Sequence, residues 1–286
     1  LLIEKEAFGG QITLSPHVEN YPFTRPMSGN ELVEVLVEQV MNLGADVEVG
    51  AVVDVSENAD KTVTVRTDYQ EFTGRTLIIA TGLKHRLPGA EGEQKFIGSG
   101  ISFCAVCDGA FFKDKAVAVI GGGNTPAVQD AIYLSKICSK VYLIHRRSEF
   151  RAEKHVADGL AACANIEPVL NSTVARFIGE GKLSGIVVKN RETGEERELS
   201  VSGAFIAVGF APNNGVFAEL VKLDESGFIR SGEDCKTSRP EIFAAGDCRT
   251  KSVRQLVTAG ADGGVAAIAA CEYIDSMQNA EKAAES

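Results

Sequence analysis

The chain has 286 residues, 44% of them apolar and 24% charged, and a formal net charge of -10. That length suits two domains of ordinary size, and that balance excludes wholesale disorder. The negative charge disfavours nonspecific contact with nucleic acid or an anionic membrane, and no apolar run approaches the roughly 18–20 residues needed to cross a bilayer.

In chain order, "LLIE" (1–4) reads as a buried strand entered midway. The chain starts without Met and without a signal peptide, which reads as an N-terminal truncation. "SGNELVEVLVEQVMNLG" (28–44) has apolar spacing of three and four, Ser28 as a cap and a stop at Gly44, so it predicts a helix. Residues 50–74 and 177–200 read as antiparallel hairpins whose turns carry Asn, Asp, Lys and Gly. "TLIIATG" (76–82), "AVAVIGGG" (116–123), "KVYLIH" (140–145) and "GAFIAVGF" (203–210) are short apolar runs that predict buried strands. "PAVQDAIYLSKIC" (126–138) predicts a helix with proline at its first position. The order strand, helix, hairpin, strand thus occurs twice, which argues for an α/β fold of open, mostly parallel sheets covered by helices. The last helix-like stretch (252–274) contains Gly260, Gly263 and Gly264, each costing about 1 kcal/mol against alanine. They argue for close approach to a backbone or a ligand, or for plain tight helix packing. The polar tail from Gln278 is expected to fray.

Seven cysteines, an odd number, lie singly except for one C-x-x-C. That is no secreted disulfide framework, and a reducing cytoplasm fits it best. The exception is Cys104–Cys107 in "GISFCAVCDGAFF" (100–112). Zinc would need four ligands, but no second pair exists and His17, His85, His145 and His155 stand apart. A thioredoxin-type pair would sit in a much shorter domain beside a Trp, which this chain lacks. Two intervening residues let a disulfide open and close with little backbone change, and a helix start after them would stabilise a thiolate. Asp108 is placed to hand a proton to a leaving thiolate, provided burial raises its pKa. The pair therefore reads as redox-active. Cys138, Cys163, Cys235, Cys248 and Cys271 read as inert buried thiols.

"VAVIGGGNTPAV" sets glycines between an apolar strand and a helix. Gly121 permits the tight turn, and Gly123 lets a pyrophosphate approach the backbone where Asn124 and Thr125 open the helix. The third motif position is Pro126 instead of Gly or Ala. One strand–helix–strand unit later, where an NAD enzyme would offer an acid, the chain offers His145, Arg146 and Arg147, with Arg151 beyond. Three guanidiniums suit a 2′-phosphate. Alone they would be an ordinary solvated face; beside the glycine turn they favour NADPH over NADH. NADPH moves hydride, whereas a disulfide takes electrons after thiolate attack. An intermediary able to do both is needed, and a flavin is one.

Seven blocks in order, "GGQI" (9–12), "VENYP" (18–22), "IIATG" (78–82), "CAVCDGAFF" (104–112), "GGGNT" (121–125), "HRRSEFRAEK" (145–154) and "IFAAGDCRTKSVRQLVTAGADG" (242–263), span essentially the whole chain. On these the chain resembles the low-molecular-weight thioredoxin reductases, NADPH-dependent flavoenzymes of bacteria. The resemblance implies two Rossmann-like three-layer (ββα) nucleotide-binding domains, the NADPH domain inserted in a split FAD domain. Residues 1–86 and 212–286 would hold FAD, and 87–211 would hold NADPH and the redox pair. Glu4, Gly10, Gln11, Asn20, Thr81, Gly82, Gly246, Asp247, Arg254, Gln255 and Leu256 would line FAD. Of these, Glu4 would bond the adenosine ribose and Asp247 the ribityl chain, with Arg254 to Leu256 along the isoalloxazine. Electrons would pass from NADPH through FAD and Cys104–Cys107 to a thioredoxin-like protein, with Asp108 as acid. The inserted domain would rotate on hinges near 82–89 and 209–215, in a homodimer. Two departures stand out. The family's N-terminal strand with its own G-x-G-x-x-G is absent, a loss of about thirty residues that predicts an open slot in the FAD sheet and poor flavin binding. Pro126 makes the second glycine turn one residue longer, which predicts a shifted helix start and weaker NADPH binding. Two other readings stay open: a sister flavoprotein that reduces a peroxiredoxin, and a non-catalytic NADPH-binding remnant without FAD.

Overall fold

Two α/β units share one plan in the computed structural model, which describes residues 1–6, 8–22, 24–121, 125–150, 152, 156 and 159–284. The flanking unit opens with β1 (Leu2–Glu4), helix α1 (Gly29–Asn42) and β2 (Val47–Val49). Helix α1 starts where the sequence predicts, on a capping box: Ser28 Oγ accepts from the Glu31 amide (3.2 Å) and Glu31 Oε2 from the Ser28 amide (2.8 Å). Next come β3 (Val52–Glu57), β4 (Val63–Thr67), β5 (Glu71–Gly74) and β6 (Leu77–Ile79). A crossing strand, β7 (Lys84–His85), leads into the inserted unit.

The inserted unit runs through α2 (Glu93–Phe96), β8 (Ile101–Ser102), α3 (Ala105–Asp108), β9 (Ala116–Ile120), α4 (Thr125–Ser135) and β10 (Lys140–Ile144). It continues with β11 (Ile166–Val169), β12 (Ser172–Glu180), β13 (Lys182–Asn190), β14 (Glu196–Ser200) and β15 (Gly203–Ile206). Strand β16 (Phe210–Ala211) pairs antiparallel with β7, and the chain returns to the flanking unit for β17 (Ile242–Ala244) and α5 (Leu256–Ala284).

Five parallel strands in the order β11-β10-β9-β15-β8 form the inserted sheet. The apolar run "AVAVI" supplies β9 at its centre, with Val117, Ala118 and Val119 fully buried. One face packs Ile120, Ile144 and Ile206 against Ile186, Val188 and Leu199 of the β12–β14 meander; the other packs Val117, Val141 and Phe205 against Ala127, Ala131 and Leu134 of α4. These are the three layers the fold class requires. In the flanking unit, β1 pairs only β2, and β6 pairs only β17, all parallel. Among the described residues no strand joins the two pairs.

Several expectations need correction. Both predicted hairpins are three-stranded meanders. Helix α4 is unbroken and holds Pro126 in its first turn, where no amide is needed, but it ends at Ser135. The tail from Gln278 does not fray: α5 continues to Ala284 because "NAEKAA" is rich in strong helix formers. Nor do Gly263 and Gly264 mark a close backbone, since an added Cβ would meet nothing within 4 Å at either. Cys138, Cys235 and Cys248 are buried, but Cys163 is only half-buried and Cys271 is exposed on the outer face of α5. Among the described residues no helix is long and apolar enough to cross a membrane.

Candidate active site

Cys104 and Cys107 form a disulfide, with Cα atoms 5.3 Å apart, inside the usual range. The local sequence makes this possible. Cys104 is the extended residue in front of the one-turn helix α3, so Cys107 comes round to face it. The Cys107 amide donates to Cys104 Sγ (3.2 Å), a bond that favours thiolate at Cys104 once the pair opens. Val106, between the two, is 61% exposed, while both cysteines are half-buried.

Asp108 closes α3 with its amide on the Cys104 carbonyl (3.1 Å). Its Oδ2 accepts from Ser102 Oγ (2.6 Å), and the same Oγ accepts from the Cys104 amide (3.1 Å). Burial pushes the Asp108 carboxyl above its ordinary pKa, against the opposing pull of the Ser102 hydrogen bond. Its Oδ1 is buried with no partner among the described residues. A carboxyl that keeps its proton longer than usual, tied through one hydroxyl to the first cysteine, is equipped as an acid. Nothing in the sequence singles out Ser102; its role comes from folding back over the cysteine loop.

At the phosphate turn, Gly121 has φ 125°, and a Cβ there would collide with the Ala207 carbonyl, so glycine is required. The predicted Gly123, Asn124 and Arg151 lie outside the described residues, as does the Thr125 side chain. Arg146 and Arg147 are exposed just beyond β10. Arg191 joins them, its Nη1 donating to the Arg146 carbonyl (3.1 Å). It comes from the turn after β13, too far along the chain for motif reading. His145 is buried, its ring centroid 5.8 Å from that of Phe150.

A third set gathers in the flanking unit. Asn20 Nδ2 donates to Gln255 Oε1 (3.1 Å), joining two predicted residues from opposite ends of the chain. Leu256 begins α5 directly after them. The Arg254 guanidinium lies 4.4 Å from the Phe228 ring centroid and 5.9 Å from that of Phe210. Asp247 follows β17; burial raises its pKa, and Lys251 and Arg254 oppose the rise. Asp247 Oδ1 and Arg254 Nε are both buried with no partner among the described residues. Gly246 has φ 74° and donates its amide to Asp262 Oδ2 (2.9 Å).

Asp262, missed in the sequence, also takes Arg249 Nε (3.0 Å), Arg249 Nη2 (2.9 Å) and Lys251 Nζ (2.7 Å). Burial alone would raise its pKa, but the bonds from Arg249, Lys251 and Gly246 outweigh that and hold it at about 2. Thr81 Oγ1 donates to Asn214 Oδ1 (3.1 Å), Gly82 follows with φ 61°, and Gln11 Nε2 donates to the Leu83 carbonyl. Gly10 opens a 3₁₀ helix, Gly10–Leu14. Glu4 ends β1 and accepts from the Glu6 amide (3.2 Å); among the described residues no hydrogen bond or ion pair ties it to the others.

These geometries can be set beside known proteins. The pyridine nucleotide-disulphide oxidoreductase family matches residues 1–263. The chain belongs to this family. A thioredoxin reductase of Treponema pallidum is 40% identical over 280 residues, 98% of this chain and 90% of that protein. Among solved structures, a thioredoxin reductase of Streptococcus pyogenes superposes with a TM-score of 0.90 at 36% identity, covering 96% of this chain and 89% of that one. A Lactococcus lactis thioredoxin reductase in its FR conformation is nearly as similar in sequence, 35%, over 96% of this chain and 90% of that one, yet its TM-score is 0.63.

Proposed function

We propose that the chain is an NADPH-dependent flavoprotein disulfide reductase whose oxidised substrate is the disulfide of thioredoxin. The observation that carries this is the formed Cys104–Cys107 disulfide beside a carboxyl with raised pKa. The flavin-side residues fit the cofactor: Asp247 Oδ1 and Arg254 Nε are a buried acceptor and donor without hydrogen-bond partners among the described residues, near the Asn20–Gln255 bond. They would hold the flavin, with Gly246 and Leu256 alongside, and residues 1–86 and 212–286 would form that half. Bound there, FAD supplies the exchange between a hydride taken from NADPH and the electron pair a disulfide accepts. Gly121, Arg146 and Arg147 would hold the nucleotide in 87–211, and Arg191 adds a fourth cation to the predicted set.

The cysteines then do the outward chemistry. Reduction of the pair takes two electrons and two protons. One thiolate attacks a sulfur of the substrate disulfide, the S–S bond there breaks, and a mixed disulfide forms. The second cysteine attacks that bond, closes Cys104–Cys107 again and releases dithiol. Asp108 would supply the proton to the departing thiolate. Val106 marks the face open to a protein substrate. Five cysteines outside the pair remain thiols, which supports a reducing, cytoplasmic setting. Exposed Val35, Met41 and Leu43 on and just after α1 support the homodimer the family resemblance implies.

Anaerobic titration with NADPH tests the reading. Reconstituted with one FAD per chain, the wild-type protein should take up two equivalents per chain, one for flavin and one for disulfide, and Cys107→Ser only one. Thioredoxin reduction should fall about a thousandfold in Cys107→Ser and about a hundredfold in Asp108→Asn. Normal thioredoxin turnover by Cys107→Ser would defeat the proposal, and turnover with a peroxiredoxin alone would favour the sister enzyme.

A further inference from the structure

The two phenylalanines that bracket the redox loop, Phe103 and Phe111, each meet a histidine from outside it. The Phe103 ring stacks on His85, centroids 4.1 Å apart and planes 17° apart. His85 also meets Phe210 (4.9 Å), and Phe210 in turn lies under Arg254, which covers Phe228 as well. On the other side of the cysteines, Phe111 meets His17 edge-on, with centroids 5.6 Å apart, and His17 Nε2 is 3.1 Å from Glu19 Oε1. A further contact lies close by, since a Cβ on Gly98 would come within 3.0 Å of the Leu14 carbonyl. A line of rings and one guanidinium therefore runs from the residue before Cys104, through the crossing strands, to Arg254 in the flanking unit.

We infer that His85 and His17 are positioning residues that dock the Cys104–Cys107 loop onto the flavin-side half, His85 at the pivot and His17 at the loop's far end. The inference rests on the proposed function for its purpose, though not for its geometry. His85 lies in β7, which pairs with β16 through only two residues, Phe210↔His85 and Ala211↔Lys84. Any rotation of the inserted unit must pass through those strands, so a ring wedged there resists it most directly. Burial keeps the His85 ring neutral, with a pKa of about 4, so it stacks as an uncharged aromatic. The charges beside it are Lys84 and Arg86 on its own segment and Arg254 past Phe210. Neither histidine touches a sulfur; both act through the phenylalanines.

The test uses the holoenzyme. After reduction with dithiothreitol, the alkylation rate of Cys104 and Cys107 by iodoacetamide reports how long the loop stays docked. Circular dichroism checks the fold. His85→Ala should raise that rate about three- to tenfold, the population shift expected on losing a stacked pair. His85→Phe, which keeps a ring, should stay within about twofold of wild type, and the double variant with His17→Ala should exceed either single one. In stopped flow, electron transfer to the disulfide should slow in His85→Ala while flavin reduction by NADPH does not. An unchanged alkylation rate in a folded His85→Ala protein overturns the inference, as does His85→Phe behaving like His85→Ala. Should His85→Ala lose its fold, Phe103→Leu, which keeps bulk without the stack, decides by the same measure. If alkylation shifts as stated but the wild type reduces no thioredoxin, docking stands and the functional reading falls.

Discussion

One element order builds two sheets here, and they end up unlike. In the inserted unit β9 sits between β10 and β15, every interior edge is paired, and apolar side chains fill both faces. In the flanking unit the corresponding strands stop as two pairs. Leu2 and Glu4 turn their backbone groups to β2, and Leu77 and Ile79 theirs to β17, so Ile3 and Ile78 face away from their partners. Leu2 and Ile78 are exposed. Beside apolar clusters around Ile79 and Ile242 and around Phe243 and Ala266, this unit carries buried polar bonding. Asp262 holds Arg249, Lys251 and the Gly246 amide; Asn214, 1% exposed, accepts from Thr81 and donates to the carbonyls of Gly227 and Cys248. Both units are packed on apolar cores, and the flanking one adds this cluster of hydrogen-bonded charges and amides, so one substitution in each should loosen that unit alone.

The largest effect separates them. Asp262→Ala leaves Arg249, with 2% side-chain exposure, and Lys251, with 6%, without their close carboxylate; Arg249 keeps only the contact of 3.9 Å to the exposed Glu233. Stranding buried charges costs about 3–5 kcal/mol. Hydrogen exchange read by mass spectrometry should show faster exchange around β6, β17 and residues 226–250 and none in β9 or β10. Uniform acceleration through both units would break the comparison. The matching substitution in the other unit is Leu134→Ala, where a fully buried side chain packs between α4 and β9. Removing it costs about 3 kcal/mol as transfer energy and cavity. Exchange should then rise in the inserted sheet and leave the Asp262 region unchanged.

The same contrast explains what the sequence discloses. Strands of the inserted sheet are short unbroken apolar runs because both faces are buried, and "AVAVI" or "KVYLI" can be read directly. Ser28 declares helix α1 for an equally local reason, a hydroxyl spaced three residues from Glu31. The disulfide pair and the carboxyl beside it are legible because they are near neighbours in the sequence. Ser102, Arg191 and Asp262 are not. Each acts across a fold-dependent gap, and a serine, an arginine or an aspartate has no local signature that distinguishes a buried partner from a solvated one. The polar tail after Gln278 misleads for the opposite reason: polarity suggests fraying, while its alanines, glutamate and lysine favour helix. Pro126 is accommodated in the first turn of an unbroken helix, where a missing amide costs no hydrogen bond.

The smallest effect falls at the seam between the units, where His85 titrates. Its pKa of about 4 in the folded protein lies below the 6.5 it has when unfolded, and burial is the cause. Between those values the unfolded chain binds a proton that the folded one refuses, so stability rises with pH through this window and is lost as pH falls from 6.5 toward 4. The ring keeps some contact with water, which discounts the loss to about 1 kcal/mol over the whole span. His85→Phe keeps the stack and removes the titration. Urea unfolding of the two proteins should therefore give a stability difference that is flat above pH 7 and opens in favour of phenylalanine below 6.5. Asp108, Asp130 and Asp247, whose pKa values burial raises, gain folded-state stability as pH falls, but they are common to both proteins and cancel in the difference. Because His85 touches Phe103 on one side of the seam and Phe210 on the other, the acid loss should appear in exchange at β7, β16 and the redox loop together, ahead of either sheet. Loss confined to the flanking unit would mean that the histidine belongs to that unit alone and that the two halves meet without a shared clasp.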